Sequence, residues 1–251
     1  DIRILAVDST EKRIRYVSSA AELLGLSNVT ARAMRAEDGS FYERVRSACD
    51  SAYCQSTMHR LAGAKKVLAY NTSQTVLYLY KADKKKATGQ GVVICPGGGY
   101  SAVCIEKEGF ALAEYFQSIG VTAIVLKYRL PNYGHKEVPL EDVQAALRYM
   151  RKHGKKWGVE PTKVGVVGSS AGGHLAAYAS NYTPDKDKPN FAVLFYPVIS
   201  GESTMTHRGT FLRLLGKEHA PYVREQYSME KRVSPTTPPT ILFLSNDDTV
   251  V

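Results

Sequence analysis

The sequence lacks the marks of a membrane protein and of a small disulfide-rich protein. No stretch approaches the roughly 18 uncharged apolar residues of a membrane-spanning helix. The start, Asp1 to Leu5, has no basic segment and no long apolar core, so it is not a signal peptide, although a signal could have been removed. Four cysteines in 251 residues do not indicate a disulfide scaffold. Cys49 and Cys54 have no second ligand pair nearby, which argues against zinc and leaves a disulfide between them open.

The charge excess is not confined to one region. The chain has 33 basic and 24 acidic residues, a net charge of +9, spread along its length. We interpret the dense cluster 81–86 as a hairpin-like turn and the cluster 151–156 as a helix C-terminus, where cations offset the helix dipole. Nucleic-acid binding would need one basic face with aromatics between the charges. We therefore predict solvated surface and no nucleic-acid or membrane partner, with attraction to acidic polysaccharide as the alternative.

Strand and helix patterns alternate almost throughout the chain. This alternation predicts an α/β fold, a mostly parallel sheet with helices on both faces. The predicted strands are 2–7, 29–34, 75–80, 91–95, 121–126, 164–167, 191–198 and 241–244. The predicted helices are 10–24, 108–119, 140–152 and 171–180. We divide the chain into a βαβ-like segment and junction at 1–66 and a main domain at 67–251. The aperiodic stretch 200–234 is predicted to be a cap-like insertion.

Ser170 is the candidate nucleophile. It stands in Gly-Ser-Ser-Ala-Gly, residues 168–172, after an apolar strand and at the start of a helix. This context predicts a sharp, strained turn that lifts the hydroxyl above the sheet. Small residues at 168 and 172 let the strand and the helix approach closely. The alternative is a structural Gly-Ser turn.

A glycine-rich loop follows an earlier buried strand. Pro-Gly-Gly-Gly-Tyr, residues 96–100, leaves backbone N–H groups uncovered and able to face a developing oxyanion. Gly98 and Gly99 are the predicted donors, together with the N–H of Ala171 just after the nucleophile. A phosphate-binding turn is the alternative, and the absence of G-x-G-x-x-G spacing argues against it. Tyr100 and His207 are predicted to lie at the substrate rim.

The acid is expected after a later strand, in the order serine, acid, histidine. Asp247 and Asp248 follow the predicted strand 241–244, and either fits, with a loop-capping turn as the alternative. No histidine follows them, because the chain ends at Val251. The six histidines that precede them are His59, His135, His153, His174, His207 and His219. His174 lies one helical turn past Ser170, so we expect its side chain to point away from Ser170.

The end of the chain bears on both the base and the fold. A serine hydroxyl is a poor nucleophile unless a base accepts its proton. Stopping after Asp248 also leaves the sheet without its C-terminal strand and helix, with an unpaired edge. We therefore expect residues beyond Val251 to exist and to supply the base.

Several separate motifs, in order, resemble one enzyme family. They are 93–100 (VICPGGGY), 123–130 (AIVLKYRL), 139–142 (PLED), 168–176 (GSSAGGHLA), 206–209 (THRG) and 237–251, which runs from TPPT to DDTVV. From about residue 67 the chain resembles the acetyl xylan esterase-like and feruloyl esterase-like branch of the α/β-hydrolases, related to the hormone-sensitive-lipase type.

The resemblance carries its own expectations. It implies that Asp248, rather than Asp247, is the acid, and that the histidine comes in a Gly-His segment farther on. It implies deacylation of decorated plant polysaccharide or its oligosaccharides, without a metal or a cofactor. Members of the family are often secreted or periplasmic. The oligomeric state stays open.

The first 38 residues do not fit that family. Ile4 to Ser9, Leu24 to Thr30 and Arg35 to Asp38 resemble the middle of a small-subunit rRNA guanine methyltransferase. There an acid after a strand would hold the cofactor ribose, as Asp8 would here, but the glycine-rich first turn is absent. A fusion near residues 40–66 is one explanation, and an ordinary βαβ unit of the esterase is the other. The competing functions are thus a serine esterase, a catalytically incomplete carbohydrate-binding or interaction module, and an rRNA methyltransferase.

Overall fold

A computed structural model describes residues 4–8, 29–33, 69, 72, 74–202, 204, 206–244 and 248, the first two ranges by their backbone only. The predicted helix 10–24, the junction near 40–66 and Asp247 lie outside the described residues, as does the Cys49–Cys54 pair.

Two short strands form a small sheet of their own. Strands β1 (Ile4–Asp8) and β2 (Val29–Ala33) run parallel, with Ile4 opposite Val29. The apolar runs 2–7 and 29–34 predicted both strands, and the structure confirms a strand in each place.

Within the described residues, the main sheet has six strands. They are β3 (Val76–Tyr80), β4 (Gly91–Cys95), β5 (Thr122–Lys127), β6 (Val164–Ser169), β7 (Ala192–Phe195) and β8 (Thr240–Phe243). Their order is β3-β5-β4-β6-β7-β8, and every neighbouring pair is parallel except β3 with β5. This confirms the predicted α/β class and its mostly parallel sheet.

The segment 81–86 forms a turn, as predicted, but this turn does not close a hairpin. A turn is present, with the N–H of Lys86 donating to the carbonyl of Asp83 at 2.9 Å, but the strands on either side of it are not neighbours. Strand β4 is buried at every position and therefore takes a central place between two parallel partners. Strand β3 is only partly buried, which suits a place at the sheet edge. The chain therefore runs from the edge strand β3 past the position of β5 to reach the central strand β4.

Five α-helices are described. They are α1 (Ala111–Ser118), α2 (Glu137–His153), α3 (Ala171–Tyr182), α4 (Arg208–Leu215) and α5 (Pro221–Gln226). Helix α1 is shorter than the predicted 108–119, because a π-helical turn at Glu106–Phe110 precedes it. Helix α2 packs on β4, β5 and β6, and α3 packs on β6 and β7. No helix among the described residues is long and apolar enough to cross a bilayer.

The basic cluster 151–156 is the end of a helix, as predicted, but it is not only solvated surface. The last turn of α2 carries Arg151, Lys152 and His153. The guanidinium of Arg151 donates to the backbone carbonyls of Asp187 and Lys188. The guanidinium of Arg151 therefore holds the distant loop that contains Asp187 and Lys188. No local sequence pattern could have indicated this contact.

The segment between β7 and β8 is helical. Helices α4 and α5 pack together there, and a 3-10 turn at Met229–Lys231 contacts both α5 and α3. Buried residues of α4, including Phe211 and Leu214, join the main core. The role of 200–234 as a cap stays a prediction.

Candidate active site

Ser170 occupies a strained turn between β6 and α3. Its backbone angles are φ 53° and ψ −122°, a region that costs a non-glycine residue about 1–3 kcal/mol. The N–H of Ser170 donates to the carbonyl of Phe195 at 3.0 Å, and its own carbonyl accepts the N–H groups of His174 and Val198 at 3.1 Å. The predicted strand–turn–helix context is confirmed, and these three bonds hold the strained residue in place.

Two glycines make the turn geometrically feasible. A Cβ at Gly168 would overlap the carbonyl of Gly172, and a Cβ at Gly172 would overlap the carbonyls of Cys95 and Pro96. All of these obstacles are backbone atoms, so they cannot rotate away. The turn at Ser170 therefore packs directly against the end of β4, where the glycine loop begins.

The glycine loop has an unusual backbone. Gly98, Gly99 and Tyr100 have φ values of 131°, 60° and 56°. The carbonyl of Gly98 accepts the N–H of Ser101 at 3.1 Å, which closes the loop on itself. On the other side, a Cβ at Gly97 would lie 2.9 Å from the Cβ of Ser170. The loop thus lies beside Ser170. The nucleophile role of Ser170 and the donor role of Gly98, Gly99 and the Ala171 N–H stay predictions.

The prediction that Tyr100 lines the substrate rim is wrong. Its side chain is 2% exposed, and its hydroxyl bonds to Nδ1 of His174 at 2.9 Å. Its ring meets that of Tyr128 edge-on, with centroids 6.3 Å apart. A large amphipathic ring turns inward when the core offers a polar partner for its hydroxyl.

His174 is a structural histidine. It is fully buried, and its second nitrogen, Nε2, lies 2.9 Å from the carbonyl of Tyr227. Nε2–H donates to that carbonyl, so Nδ1 accepts from the hydroxyl of Tyr100. Burial lowers the pKa of His174 from 6.5 to about 4. The imidazole is neutral and fully engaged, so it ties the glycine loop to the 200–234 segment and does not serve as the base.

Replacing His174 with glutamine is expected to flatten the pH dependence of stability. The folded pKa of about 4 lies below the unfolded value of 6.5, so the unfolded chain binds more protons between them. The stability from neutral His174 is complete above pH 6.5 and is lost as the pH falls towards 4. From about pH 7 to about pH 4 the wild type should lose about 3 kcal/mol more than the variant. Urea unfolding at intervals across this range measures the difference, and parallel curves would contradict the prediction.

His207 lies beside the glycine loop. Its Nδ1 is 2.7 Å from Oγ1 of Thr210, at the start of α4. A Cβ at Gly99 would lie 3.6 Å from Cε1 of His207 and 3.5 Å from a guanidinium nitrogen of Arg213. The placement agrees with a rim position for His207, which stays a prediction. Within the described part of the chain, no histidine imidazole hydrogen-bonds to the hydroxyl of Ser170.

Asp248 follows β8, the neighbour of β7. The N–H of Tyr196 donates to the carbonyl of Phe243 at 2.6 Å, so β7 and β8 end at the same edge of the sheet as Ser170. Asp248 is half-buried. Its role as the triad acid stays a prediction. Across the described residues, no group of three or more His, Cys, Asp or Glu is arranged to hold a metal.

Two residues at the site were missed by sequence reasoning. The carboxylate of Glu108 accepts the N–H of Gly97 at 2.6 Å, and Tyr196 has a left-handed φ of 34° beside it. Glu108 looked like an ordinary first-turn acid of a predicted helix, and Tyr196 like one more strand residue. No spacing rule connects either of them to the glycine loop.

Comparison with known proteins agrees with this geometry. Residues 92–246 match the family described as the alpha/beta hydrolase fold. The chain belongs to this family. The α/β-hydrolase is 38% identical over 167 residues to an acetylxylan esterase of Xylanibacter ruminicola, covering 65% of this chain and 35% of that protein. It is 32% identical over 189 residues to an endo-1,4-beta-xylanase B of Butyrivibrio fibrisolvens, covering 69% and 29%.

A solved structure is similar to this chain in both fold and sequence. The α/β-hydrolase aligns with an acetyl ester-xyloside bifunctional hydrolase from Caldicellulosiruptor lactoaceticus at a TM-score of 0.60 and 30% identity, covering 71% of this chain and 74% of that one. The chain spans about a third of the length of the two curated relatives. The hydrolase part of the resemblance is confirmed, while the methyltransferase resemblance of residues 1–38 has no support from these matches.

Proposed function

We propose that this α/β-hydrolase is a serine carboxylic-ester hydrolase with Ser170 as its nucleophile. The observation that carries the proposal is the strained backbone of Ser170, held at the carboxyl edge of the sheet against a glycine loop. A non-glycine residue with such angles persists only where surrounding structure enforces it, and such strain clusters at active sites.

In the first half of the reaction, the hydroxyl of Ser170 attacks the acyl carbonyl of the ester. The carbonyl oxygen becomes an oxyanion, which the N–H groups of Gly98, Gly99 and Ala171 stabilise. Ala171 is the first residue of α3, where the helix N-terminus also favours negative charge. The alcohol leaves with a proton, and the acyl group stays on Ser170.

In the second half, water attacks the acyl-enzyme and releases the acid. Both halves need a base that takes a proton from the attacking hydroxyl or water and returns it to the leaving group. We assign to Asp248 the orientation of an imidazole base that follows it in chain order. His174 is excluded from this role by its two hydrogen bonds and its burial.

The proposed substrates are acetyl esters on xylan or its oligosaccharides. An acetylxylan esterase, a xylanase and an acetyl ester-xyloside hydrolase are all similar to this chain. A fold by itself does not choose a substrate, so the proposal rests on these relatives together with the site.

Covalent labelling of the protein tests the chemistry directly. An aryl phosphonate should label Ser170 stoichiometrically, and peptide mass spectrometry should locate the adduct there. A panel of acetyl, butyryl, octanoyl and feruloyl esters, with acetylated xylo-oligosaccharide, should show the highest kcat/KM for the acetyl compounds. Labelling elsewhere, or no turnover of any ester, contradicts the proposal, while a preference for feruloyl esters corrects the acyl group.

A second candidate is a catalytically incomplete hydrolase fold that binds carbohydrate. It is favoured by one observation, that among the described residues no histidine imidazole hydrogen-bonds to the hydroxyl of Ser170. This candidate predicts oligosaccharide binding by calorimetry without phosphonate labelling, so the same protein sample separates the two functions.

A further inference from the structure

Glu108 is placed behind the glycine loop by an irregular turn. The π-helical turn Glu106–Phe110 precedes α1, and the N–H of Phe110 donates to the carbonyl of Ile105 at 2.8 Å. Such turns are rare and occur frequently at functional sites. Here the turn brings Oε2 of Glu108 to 2.6 Å from the N–H of Gly97. A bond from a backbone N–H to a carboxylate is charge-assisted, and so stronger than a bond to a neutral acceptor.

Gly97 is confined between this carboxylate and the nucleophile turn. A Cβ at Gly97 would lie 2.6 Å from Oε2 of Glu108, 2.7 Å from the carbonyl of Ser169 and 2.9 Å from the Cβ of Ser170. Only a glycine fits here. The bond to Glu108 therefore sets where the loop starts relative to the nucleophile.

Tyr196 connects the same carboxylate to a second loop. It directly follows β7 in a left-handed conformation, and the preceding residue, Phe195, accepts the N–H of Ser170. Its phenol is within hydrogen-bonding reach of the side chains of Glu108 and Ser169. Burial, followed by the negative charge of Glu108, raises the pKa of Tyr196, so the phenol stays protonated and donates to the carboxylate.

We propose that Glu108 is a positioning residue for the oxyanion loop. Its carboxylate joins the loop after β4, through the N–H of Gly97, to the loop after β7, through the hydroxyl of Tyr196. The inference rests on the proposed esterase function. Oxyanion donors contribute most when they are held in place before the reaction, so a loop without this anchor should stabilise the transition state less while still binding the ester.

Three variants test the role of Glu108. Glu108→Ala removes the acceptor and should lower kcat for an acetyl ester by roughly 10- to 100-fold, with KM changed by less than about threefold. Glu108→Gln keeps an acceptor oxygen for the N–H of Gly97 and should retain activity within about fivefold. Glu106→Ala, in the same turn, is the matched control and should behave as the wild type.

Two further measurements separate positioning from a general loss of structure. Affinity for a trifluoromethyl ketone, which mimics the tetrahedral adduct, should fall in parallel with kcat/KM in Glu108→Ala. Phosphonate labelling measures how much of each variant is folded and reactive. If Glu108→Ala does not fold, Glu108→Asp, which withdraws the oxygen by one methylene, should show the same loss of kcat at nearly constant KM.

The outcomes are distinct. An active wild type with a Glu108→Ala variant of unchanged kcat overturns the role of Glu108 and leaves the esterase proposal standing. The role is also overturned if Glu108→Gln loses as much kcat as Glu108→Ala. Where Glu108→Ala does not fold, a Glu108→Asp variant that keeps the wild-type kcat overturns the role instead. A wild type that hydrolyses no ester and takes no phosphonate label overturns the esterase proposal itself.

Discussion

Replacing Ser170 with alanine is expected to lower kcat for acetyl esters by roughly 10⁴-fold or more. In the proposed mechanism the hydroxyl of Ser170 forms the acyl-enzyme, and an alanine side chain carries no nucleophile. Alanine removes one oxygen from a half-exposed side chain, so the fold should persist. The oxyanion loop would remain, which is why some acceleration over water should survive.

The matched control for this prediction is Ser180→Ala. Ser180 lies in the same helix, α3, is buried, and donates its hydroxyl proton to the carbonyl of Ala176 at 2.8 Å. Its replacement should leave kcat within about twofold, since it removes only one local hydrogen bond. Initial rates with p-nitrophenyl acetate measure both variants. Equal turnover by the wild type and Ser170→Ala would remove Ser170 from the mechanism.

Replacing Arg129 with methionine is expected to lower the free energy of unfolding by about 3 kcal/mol. Arg129 follows β5, and its Nε and Nη2 both reach Oδ1 of Asp142 in α2, at 3.1 and 2.7 Å. Its backbone N–H donates to Oδ2 at 2.8 Å. The Asp142 side chain is 5% exposed, so the variant leaves a buried carboxylate without its cation. Because 36% of the Arg129 side chain is exposed, water screens the ion pair in part. The expected loss in free energy of unfolding is therefore at the lower end of the range for broken buried pairs.

Arg148→Met is the control for that variant. Arg148, also in α2, forms an ion pair with Asp187. Its Nη1 lies 3.7 Å from Oδ2 of Asp187, and 51% of its side chain is exposed. A pair of this kind contributes less than about 1 kcal/mol. Urea midpoints at constant m-value measure both variants. Equal losses would show that the Arg129–Asp142 pair does not join β5 to α2 as the structure indicates.

The regular elements and the turn at Ser170 were predictable from local patterns. Strand β4 was bounded correctly at 91–95 because its continuous apolar run can only suit a strand buried on both faces. The Ser170 turn was predictable because its chemistry needs glycines at fixed offsets, which the backbone clashes at Gly168 and Gly172 now explain. Strand β7 was predicted too long, at 191–198, because the apolar run continues past Phe195 into the loop of Tyr196.

Contacts between distant segments were not predictable. Tyr100 was assigned to the rim on its position after the glycines, but His174, a partner far along the chain, turns it inward. The turn at 81–86 suggested a hairpin, but sheet order is decided by which strands can be buried on both sides. Glu108 showed a helical pattern only, and its bond to Gly97 depends on the π-helical turn.

The sequence by itself determined the α/β class, the turn at Ser170 and the position of the glycine loop, since each is encoded in apolar periodicity or in glycines that a tight backbone requires. Only the tertiary structure decided that the loop lies against Ser170 and that the buried, neutral His174 connects this loop to the 200–234 segment. It also decided that the carboxylate of Glu108 bonds to the N–H of Gly97 at the start of the loop. The physical reason is that hydrogen bonds between buried polar groups depend on which elements pack together, and a single local pattern carries no record of that.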